Sequence, residues 1–281
     1  MKHNHLNMLF TEMLEHACLK NRSMLCIGLD PDPQKFPLFI RDKSDSIFEF
    51  CSRIVDATLD VAIAFKPQIA YFAANRAEDQ LERLIHHIKK VAPTVPVILD
   101  AKRGDIGATS EQYAVEAFER YKADAVTLSP YMGFDTLEPY LKYTDKGLFL
   151  LCRTSNPSGG ELQDLRISSG EGATFLYEHV AQLAQNQWNK TGQVGLVVGA
   201  TFPLEVANVR RWAPSLPLLI PGIGAQGGDA VSTVRAARTN RAHAIINSSR
   251  AILYADSGID FDKRAREIAL QTRDLLNSAV L

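Results

Sequence analysis

The sequence is poor in cysteine, with four in 281 residues. None of them forms a CxxC pair, and Cys26 and Cys152 stand inside apolar, strand-like runs. This pattern argues against a zinc site or a disulfide framework and favours small buried side chains in a reducing compartment. We therefore expect a cytoplasmic protein.

Long apolar runs are also missing, because no stretch is long enough to span a bilayer. The first 21 residues are polar and lack the apolar block of a secretion signal. The few apolar residues within this segment recur at helical spacing, which predicts an N-terminal helical extension over residues 1–22. Those residues are Phe10, Met13, Leu14, Ala17 and Cys18.

Neither sign of charge is in excess, since 31 Lys and Arg balance 32 Asp and Glu. A near-neutral chain of this kind does not present a general surface for nucleic acid or for acidic membranes. The expected partner is a small molecule.

Short apolar runs recur along the chain with amphipathic segments between them. Most runs are continuously apolar, as expected of parallel strands that are covered on both faces. This alternation predicts a single (β/α)8 barrel domain over residues 1–281, with a doubly wound open sheet as the alternative. The predicted strands are Met24–Leu29, Ala62–Lys66, Val95–Leu99, Ala125–Leu128, Gly147–Cys152, Val194–Val198, Leu218–Ile220 and Ala244–Asn247.

The segments between the strands show helical periodicity, clearest in the apolar stripe Leu81, Leu84, Ile85 and Ile88. The segment Asn156–Gly172 is polar and rich in glycine and serine, which favours a functional loop. The predicted helices are Gln80–Val91, Ser110–Tyr121, Gly172–Asn189 and Gly228–Thr239.

Polar residues follow the predicted strands, and in a barrel those carboxyl ends form one mouth. Asp30, Lys66, Asp100 and Lys102 are therefore expected to converge there. By itself Asp30 is typical of a helix cap and Lys66 of a solvated rim charge. Arg103 favours an exterior or interface ion pair.

The most informative block is Asp100, Lys102 and Asp105, where two acids bracket a base at a strand end. Charged groups at the mouth of an apolar strand are costly unless they pair or act chemically.

A phosphorylated ligand is indicated by the glycine-rich turn Gly222–Gly228 together with Arg250. Glycines let backbone N–H groups approach an anion, and Arg250 adds a positive charge from the next loop. Barrels often bind phosphate after their seventh and eighth strands. The alternative is a tight turn beside a surface arginine.

From about Met24 to about Ala255 the chain resembles the orotidine 5′-phosphate decarboxylase family, in its longer bacterial type 2 form. One departure follows Tyr71-Phe72, where the chain reads Ala-Ala-Asn-Arg and the family pattern has Glu followed by Gly. The matching blocks are Phe65-Lys66-Pro67-Gln68, Asp100–Thr109, Arg153-Thr154-Ser155-Asn156-Pro157, Pro221–Asp229 and Ser249-Arg250.

The resemblance implies a carboxy-lyase that converts orotidine 5′-monophosphate into UMP and CO₂ in pyrimidine biosynthesis. It implies catalytic roles for Lys66, Asp100, Lys102 and Asp105, with Lys102 protonating C6. It also implies a homodimer in which Asp105, Ile106 and Thr109 reach the partner's site. The implied substrate-binding residues are Asp30, Ile106, Thr109, Ser155, Gln226, Gly227, Gly228, Ser249 and Arg250.

No metal, pyridoxal or thiamine motif is evident, so we expect a reaction without a cofactor that depends on electrostatics and positioning. Residues Gly199–Ala207, with the stretch after Ser155, are the predicted lid. Three alternatives stay open: a Mg²⁺-dependent keto-sugar-phosphate decarboxylase or synthase, a non-catalytic nucleotide-binding barrel, and a Schiff-base aldolase.

Overall fold

Eight parallel strands form one sheet that curves until its two edge strands meet. The computed structural model describes residues 8–169, 172–201, 203–223 and 229–280. Bridges between Phe65 and Val97 and between Gln68 and Asp100 join the two edges and close the barrel. The strands of the barrel are β1 (Leu25–Leu29), β2 (Ala64–Pro67), β3 (Ile98–Arg103), β4 (Ala125–Leu128), β5 (Gly147–Arg153), β8 (Val194–Val198), β9 (Leu218–Pro221) and β10 (Ala244–Ser248). Around the barrel they run in the order β2-β1-β10-β9-β8-β5-β4-β3.

This architecture confirms the predicted (β/α)8 barrel. Every residue of β1 and of β8 is buried, as the continuously apolar runs predicted. The third strand begins later than expected, at Ile98, because Pro96 has no N–H to offer a neighbouring strand. The strand also ends later than predicted, at Arg103, so Asp100 and Lys102 lie within β3.

Helices surround the barrel, and the predicted stripe of Leu81, Leu84, Ile85 and Ile88 is fully buried. Two helices continue into π turns, at Glu116–Arg120 and Ala184–Trp188. The α-helices are α1 (Phe10–Asn21), α2 (Leu38–Arg41), α3 (Ser46–Thr58), α4 (Ile69–Ala73), α5 (Glu78–Val91), α6 (Gly107–Val115), α7 (Glu138–Leu141), α8 (Gly160–Gln163), α9 (Leu176–Leu183), α10 (Pro203–Trp212), α11 (Ala230–Ala237), α12 (Arg250–Leu253) and α13 (Phe261–Ser278).

The expected loop after β5 contains regular structure, which corrects the prediction for Asn156–Gly172. It holds α8 and the strand β6 (Arg166–Ser169), which pairs antiparallel with β7 (Gly172–Phe175). The predicted helix Gly172–Asn189 is correspondingly wrong in its first turn, since α9 begins at Leu176. A two-stranded ribbon gains its hydrogen bonds from pairing between segments, which the apolar periodicity of one segment does not reveal.

The predicted N-terminal helix is present as α1, and it lies against the amino ends of the strands. The Phe10 N–H donates to the Asp145 carbonyl just before β5, and the Phe10 ring meets Phe149 edge to face at 5.6 Å. At the other end of α1, Asn21 donates to the Ala62 carbonyl just before β2. The site therefore has only the opposite, carboxyl ends of the strands available to it.

The departure from the family pattern after Phe72 falls at the end of α4. Arg76 has a φ of 53°, in the left-handed region that favours glycine. Within the described ranges, no helix is both long and apolar enough to cross a membrane.

Candidate active site

The carboxyl ends of β1, β2, β3 and β10 bring the charged residues together. A pocket of about 160 Å³ opens there, and Asp30, Lys66 and Asp100 line it with Ser249 and Arg250. Pro221, Gly222, Ile223 and Asn247 complete its described lining. Residues that are up to 220 positions apart in the sequence (Asp30 to Arg250) thus share one mouth, as the barrel topology predicted.

Asp100 lies between two ammonium groups. Lys66 Nζ is 2.6 Å from Asp100 Oδ2, and Lys102 Nζ is 2.5 Å from Asp100 Oδ1. The side chains of Lys66 and Asp100 are buried, whereas that of Lys102 is 45% exposed. Lys66 thus lines the pocket as a nearly buried cation, and Lys102 is the more exposed of the two ammonium groups.

Burial and charge act in opposite directions on the pKa values of this pair. Burial alone lowers the pKa of Lys66, but Asp100 and Asp30 outweigh it and raise that pKa above its ordinary value. Burial alone raises the pKa of Asp100, but Lys66 and Lys102 outweigh it and hold that pKa well below its ordinary value. Both groups are therefore charged at neutral pH.

A bulge near the end of β3 sets the backbone conformation from which Lys102 extends. The pairing register of β3 with β4 shifts between Leu99 and Arg103, and Lys102 has a φ of 47°. Arg103 points elsewhere, since its guanidinium binds Glu116 of the neighbouring π turn at 2.9 Å. The expected ion pair of Arg103 is thus present.

Asp30 offers a free carboxylate oxygen to the pocket. Its Oδ1 is buried and has no hydrogen-bond partner among the described residues. The hydroxyl of Tyr254 donates to the Asp30 carbonyl and accepts from the Asp32 N–H, both at 2.7 Å, which fixes the turn. Asp30 is therefore held by its backbone, and its side chain is available to a ligand donor.

Gly28 makes room for the side chain of Ser249. A Cβ built on Gly28 would lie 1.9 Å from Ser249 Oγ and 3.0 Å from Asn247 Oδ1. Ser249 immediately precedes α12, whose first residue is the exposed Arg250. The absence of a side chain in β1 thus sets the position of the loop that carries Arg250.

Four other predicted residues, Asp105, Ile106, Thr109 and Ser155, are not part of the described lining of this pocket. Asp105 makes no ion pair among the described residues, and its Oδ1 accepts from the Ile106 N–H at 2.8 Å. Ile106 is 58% exposed, and Thr109 is exposed as well. Ser155 packs on Gly199, where a Cβ would lie 2.7 Å from the Ser155 Cβ.

Three further predicted residues, Gln226, Gly227 and Gly228, lie outside the described residues. Of the residues predicted to bind phosphate, Gly222 at the start of the glycine-rich turn, Ser249 and Arg250 are described, and all three line the pocket.

Several residues of the site were missed from the sequence. Thr127 in β4 donates to Asp100 Oδ1 at 3.0 Å, and Asn247 in β10 lines the pocket while 5% exposed. Arg153 binds Asp164 at 3.1 Å and Glu205 at 3.3 Å. A polar residue inside an apolar strand was the available signal for Thr127 and Asn247.

A (β/α)8 barrel with alternating ammonium and carboxylate groups at the carboxyl ends of its strands has the organisation of a barrel enzyme. Residues 23–260 match the model of the "Orotidine 5'-phosphate decarboxylase / HUMPS family". The chain belongs to this family.

Individual relatives are similar over nearly their full length. The orotidine 5'-phosphate decarboxylase of Polaromonas naphthalenivorans (strain CJ2) is 64% identical over 272 residues, which cover 97% of this chain and 96% of that protein. The protein of the same name from Delftia acidovorans is 62% identical, covering 97% and 99%. The solved structure of Leishmania donovani OMP decarboxylase is 38% identical with a TM-score of 0.80, covering 96% of this chain and 99% of that chain.

Proposed function

We infer that the chain decarboxylates orotidine 5′-monophosphate to UMP and CO₂. The observation that carries this function is the Lys66–Asp100–Lys102 array, whose buried members Lys66 and Asp100 line the same pocket as Asp30, Ser249 and Arg250. The family match and the names of relatives above 60% identity support the same reaction.

In this reaction the bond between C6 and the carboxylate breaks, and its electron pair stays in the plane of the pyrimidine ring. CO₂ leaves, and C6 takes a proton from the Lys102 ammonium, so the enzyme is restored when Lys102 regains a proton from water. The Lys102 side chain is half-exposed, and Asp100 binds its Nζ at 2.5 Å. Electrostatic stabilisation of the developing carbanion is the main source of rate enhancement.

The carboxylate of the substrate is proposed to lie beside Asp100. The first role of Asp100 is to orient Lys102, and repulsion between the two carboxylates adds ground-state destabilisation.

The rest of the nucleotide is assigned to the surrounding loops. Asp30 binds a ribose hydroxyl with its unpartnered Oδ1, and Ser155 reads the pyrimidine edge. Ser249 and Arg250 hold the phosphate together with Gln226, Gly227 and Gly228, which lie outside the described residues.

The occupied lone pairs of Asp100 favour this reaction over Mg²⁺-dependent enediolate chemistry. Lys66 binds Oδ2, while Lys102 and Thr127 bind Oδ1. With three of its roughly four acceptor positions taken, and with two ammonium groups that repel a divalent cation, Asp100 is a poor ligand for Mg²⁺, which demands near-ideal octahedral oxygen coordination.

We also propose a homodimer in which Asp105, Ile106 and Thr109 reach the partner's site. The isolated chain leaves Asp105 without an ion pair among its described residues. Large apolar side chains are also exposed at Ile106, next to Asp105, and at Tyr131 and Met132, which follow β4; they are 58%, 79% and 43% exposed. A second copy of the chain would bury these side chains and complete the charged array.

A lid formed by residues Gly199–Ala207 and the stretch after Ser155 is supported by Arg153. Its guanidinium contacts Asp164 beyond α8 and Glu205 in α10, so the two segments are linked by one side chain. Binding energy from the phosphate can drive such a closure.

The four cysteines are unpaired in the structure, which supports a cytoplasmic location for the protein. Burial raises the pKa of Cys26 to about 12, so its thiol beside the site is neutral.

The deciding experiment follows the loss of orotate absorbance when purified protein is mixed with orotidine 5′-monophosphate, with and without EDTA. UMP formation that EDTA leaves unchanged supports the proposal. Activity that EDTA abolishes would favour the Mg²⁺-dependent alternative, and nucleotide binding without turnover would favour a non-catalytic barrel. Borohydride trapping of a covalent adduct with substrate would favour the Schiff-base aldolase.

A further inference from the structure

Thr127 is a buried polar residue in the middle of an apolar strand. It lies in β4, the segment Ala-Val-Thr-Leu, and is 1% exposed. A buried hydroxyl is costly unless it is fully hydrogen-bonded, so its partners indicate what it does.

The hydroxyl of Thr127 makes three hydrogen bonds to one short segment of β3. It donates to Asp100 Oδ1 at 3.0 Å and accepts from the backbone N–H groups of Ala101 at 3.0 Å and Lys102 at 2.9 Å. A threonine hydroxyl has one proton and two lone pairs. Its whole hydrogen-bonding capacity is therefore directed at the segment from Asp100 to Lys102, which carries two of the proposed catalytic charges.

These contacts lie at the bulge of β3. Because the register with β4 shifts between Leu99 and Arg103, the amides of Ala101 and Lys102 bond a side chain of β4 and not its backbone carbonyls. Lys102 also holds a φ of 47°, which is unfavourable for a residue with a Cβ. The hydroxyl takes the place of the missing ladder acceptor and stabilises this conformation.

Thr127 also acts on the carboxylate that binds the Lys102 ammonium. Asp100 Oδ1 accepts from both Thr127 Oγ1 and Lys102 Nζ. One hydroxyl thus fixes the backbone from which Lys102 extends and the anion at which its tip is held.

We propose that Thr127 is a positioning residue for Lys102. The proposal rests on the inferred decarboxylation, in which Lys102 protonates C6. It assigns Thr127 no contact with the substrate. Loss of the hydroxyl should therefore slow the chemical step while nucleotide binding remains, because Asp30, Ser249 and Arg250 belong to other elements.

The test measures kcat and KM for Thr127→Val and Thr127→Ser. For Thr127→Val we expect kcat to fall by about 100-fold, the loss typical of a catalytic group displaced by about 1 Å. KM should change by less than about threefold, as expected when ground-state binding is retained. Thr127→Ser, which keeps the hydroxyl, should recover most of the wild-type kcat.

Thr58→Val is the matched control. Thr58 is also fully buried, and its hydroxyl donates to the Ile54 carbonyl within α3, away from the mouth. It reports the effect of losing a buried threonine hydroxyl on melting temperature, and its kcat should equal that of the wild type. Should Thr127→Val not fold, Thr127→Ala compared with Thr127→Ser isolates the hydroxyl.

The outcomes separate this proposal from the inferred function. A wild-type protein that forms no UMP would overturn both. With an active wild type, the positioning role is overturned if the hydroxyl-free variant keeps its kcat, if serine restores nothing, or if Thr58→Val loses as much kcat as Thr127→Val.

Discussion

Asp100 accepts hydrogen bonds from side chains of three strands, β2, β3 and β4. These contacts hold its carboxylate charged and fix its position in the site. Lys66 and Lys102 approach opposite oxygens at 2.6 and 2.5 Å, and Thr127 adds a third donor. Because Asp100 and Lys66 are buried, their charges are poorly screened by water. The site therefore holds a hydrogen-bonded array in which Lys102 is the exposed partner of the buried Lys66–Asp100 pair.

The charges of the buried pair should make stability depend on acid pH. The folded-state pKa of Asp100 is lowered, so its carboxylate contributes stability above its unfolded-state pKa of about 3.9 and loses it as the pH falls. The pKa of Lys66 is raised, so its contribution is complete below about pH 10 and is lost only at higher pH.

We therefore expect wild type to be more stable than Asp100→Asn near neutral pH, with the difference shrinking as the pH is lowered below about 4. Urea unfolding between pH 2 and 7 measures it. Asp256→Asn, at an exposed aspartate without an ion pair among the described residues, is the control and should show a much smaller change. A difference that stays constant down to pH 2 would contradict the assigned ionisation of Asp100.

Arg250 is proposed to hold the phosphate, far from the reacting carbon. Arg250→Ala should lower kcat/KM, and the corresponding activation free energy should rise by about 2–5 kcal/mol, as for a charged contact that becomes buried on binding. Steady-state kinetics measures this loss. Arg241→Ala is the control, because Arg241 is exposed and precedes β10, whereas Arg250 follows it. Wild-type efficiency in Arg250→Ala would remove the phosphate role.

At the scale of elements, departures from regular strand structure build the site. The bulge in β3 sets the backbone conformation from which Lys102 extends, and the missing side chain at Gly28 in β1 lets Ser249 sit against the strand. Both features occur where β-strands approach a functional centre, as bulges and strand glycines commonly do.

Gly28→Ala should displace Ser249 and the start of α12, since the new Cβ would lie 1.9 Å from Ser249 Oγ. We expect a stability loss of about 1–3 kcal/mol, as for other overpacked cores. The KM for substrate should rise because Arg250 moves with Ser249. Adding Ser249→Ala removes the closest atom and should restore part of the lost stability, measured by thermal unfolding, whereas KM is compared only between wild type and Gly28→Ala because Ser249 is itself proposed to bind the phosphate. No recovery in the double variant would show that the clash lies elsewhere.

At the scale of the whole molecule, the barrel brings distant charges to one mouth and leaves Asp105 outside it. The exposed residues Ile106, Tyr131 and Met132 lie beside Asp105 or on the loop after β4. We propose that these exposed side chains, with an Asp105 that makes no ion pair among the described residues, mark a site that two copies of the chain share.

Mixing two inactive variants tests the shared site. Lys102→Ala and Asp105→Ala should each be folded and nearly inactive as homodimers. A two-fold heterodimer of the two has one site with both wild-type residues, so equal mixing after dissociation should recover about a quarter of wild-type activity. A mixture that stays inactive, although light scattering shows that heterodimers form, would contradict donation of Asp105 across the interface.

From the residues alone we predicted the barrel, with a doubly wound sheet as the alternative, together with the N-terminal helix and the convergence of Asp30, Lys66, Asp100 and Lys102. These predictions follow from local periodicity and from the rule that the carboxyl ends of barrel strands form one mouth, so they can be made from one amino-acid sequence. The ribbon β6–β7 was missed because its stability comes from pairing between segments, and Thr127 was missed because its meaning depends on the bulge opposite it.

Packing of the folded chain was needed to show which oxygen of Asp100 each lysine binds, which lysine remains exposed, and why a side chain at Gly28 would clash. These are relations between strands, and their energies arise from distances of a few ångströms that no property of one segment fixes. Residue types and their order determined what chemistry the mouth of the barrel holds. Packing between strands determined how that chemistry is aimed.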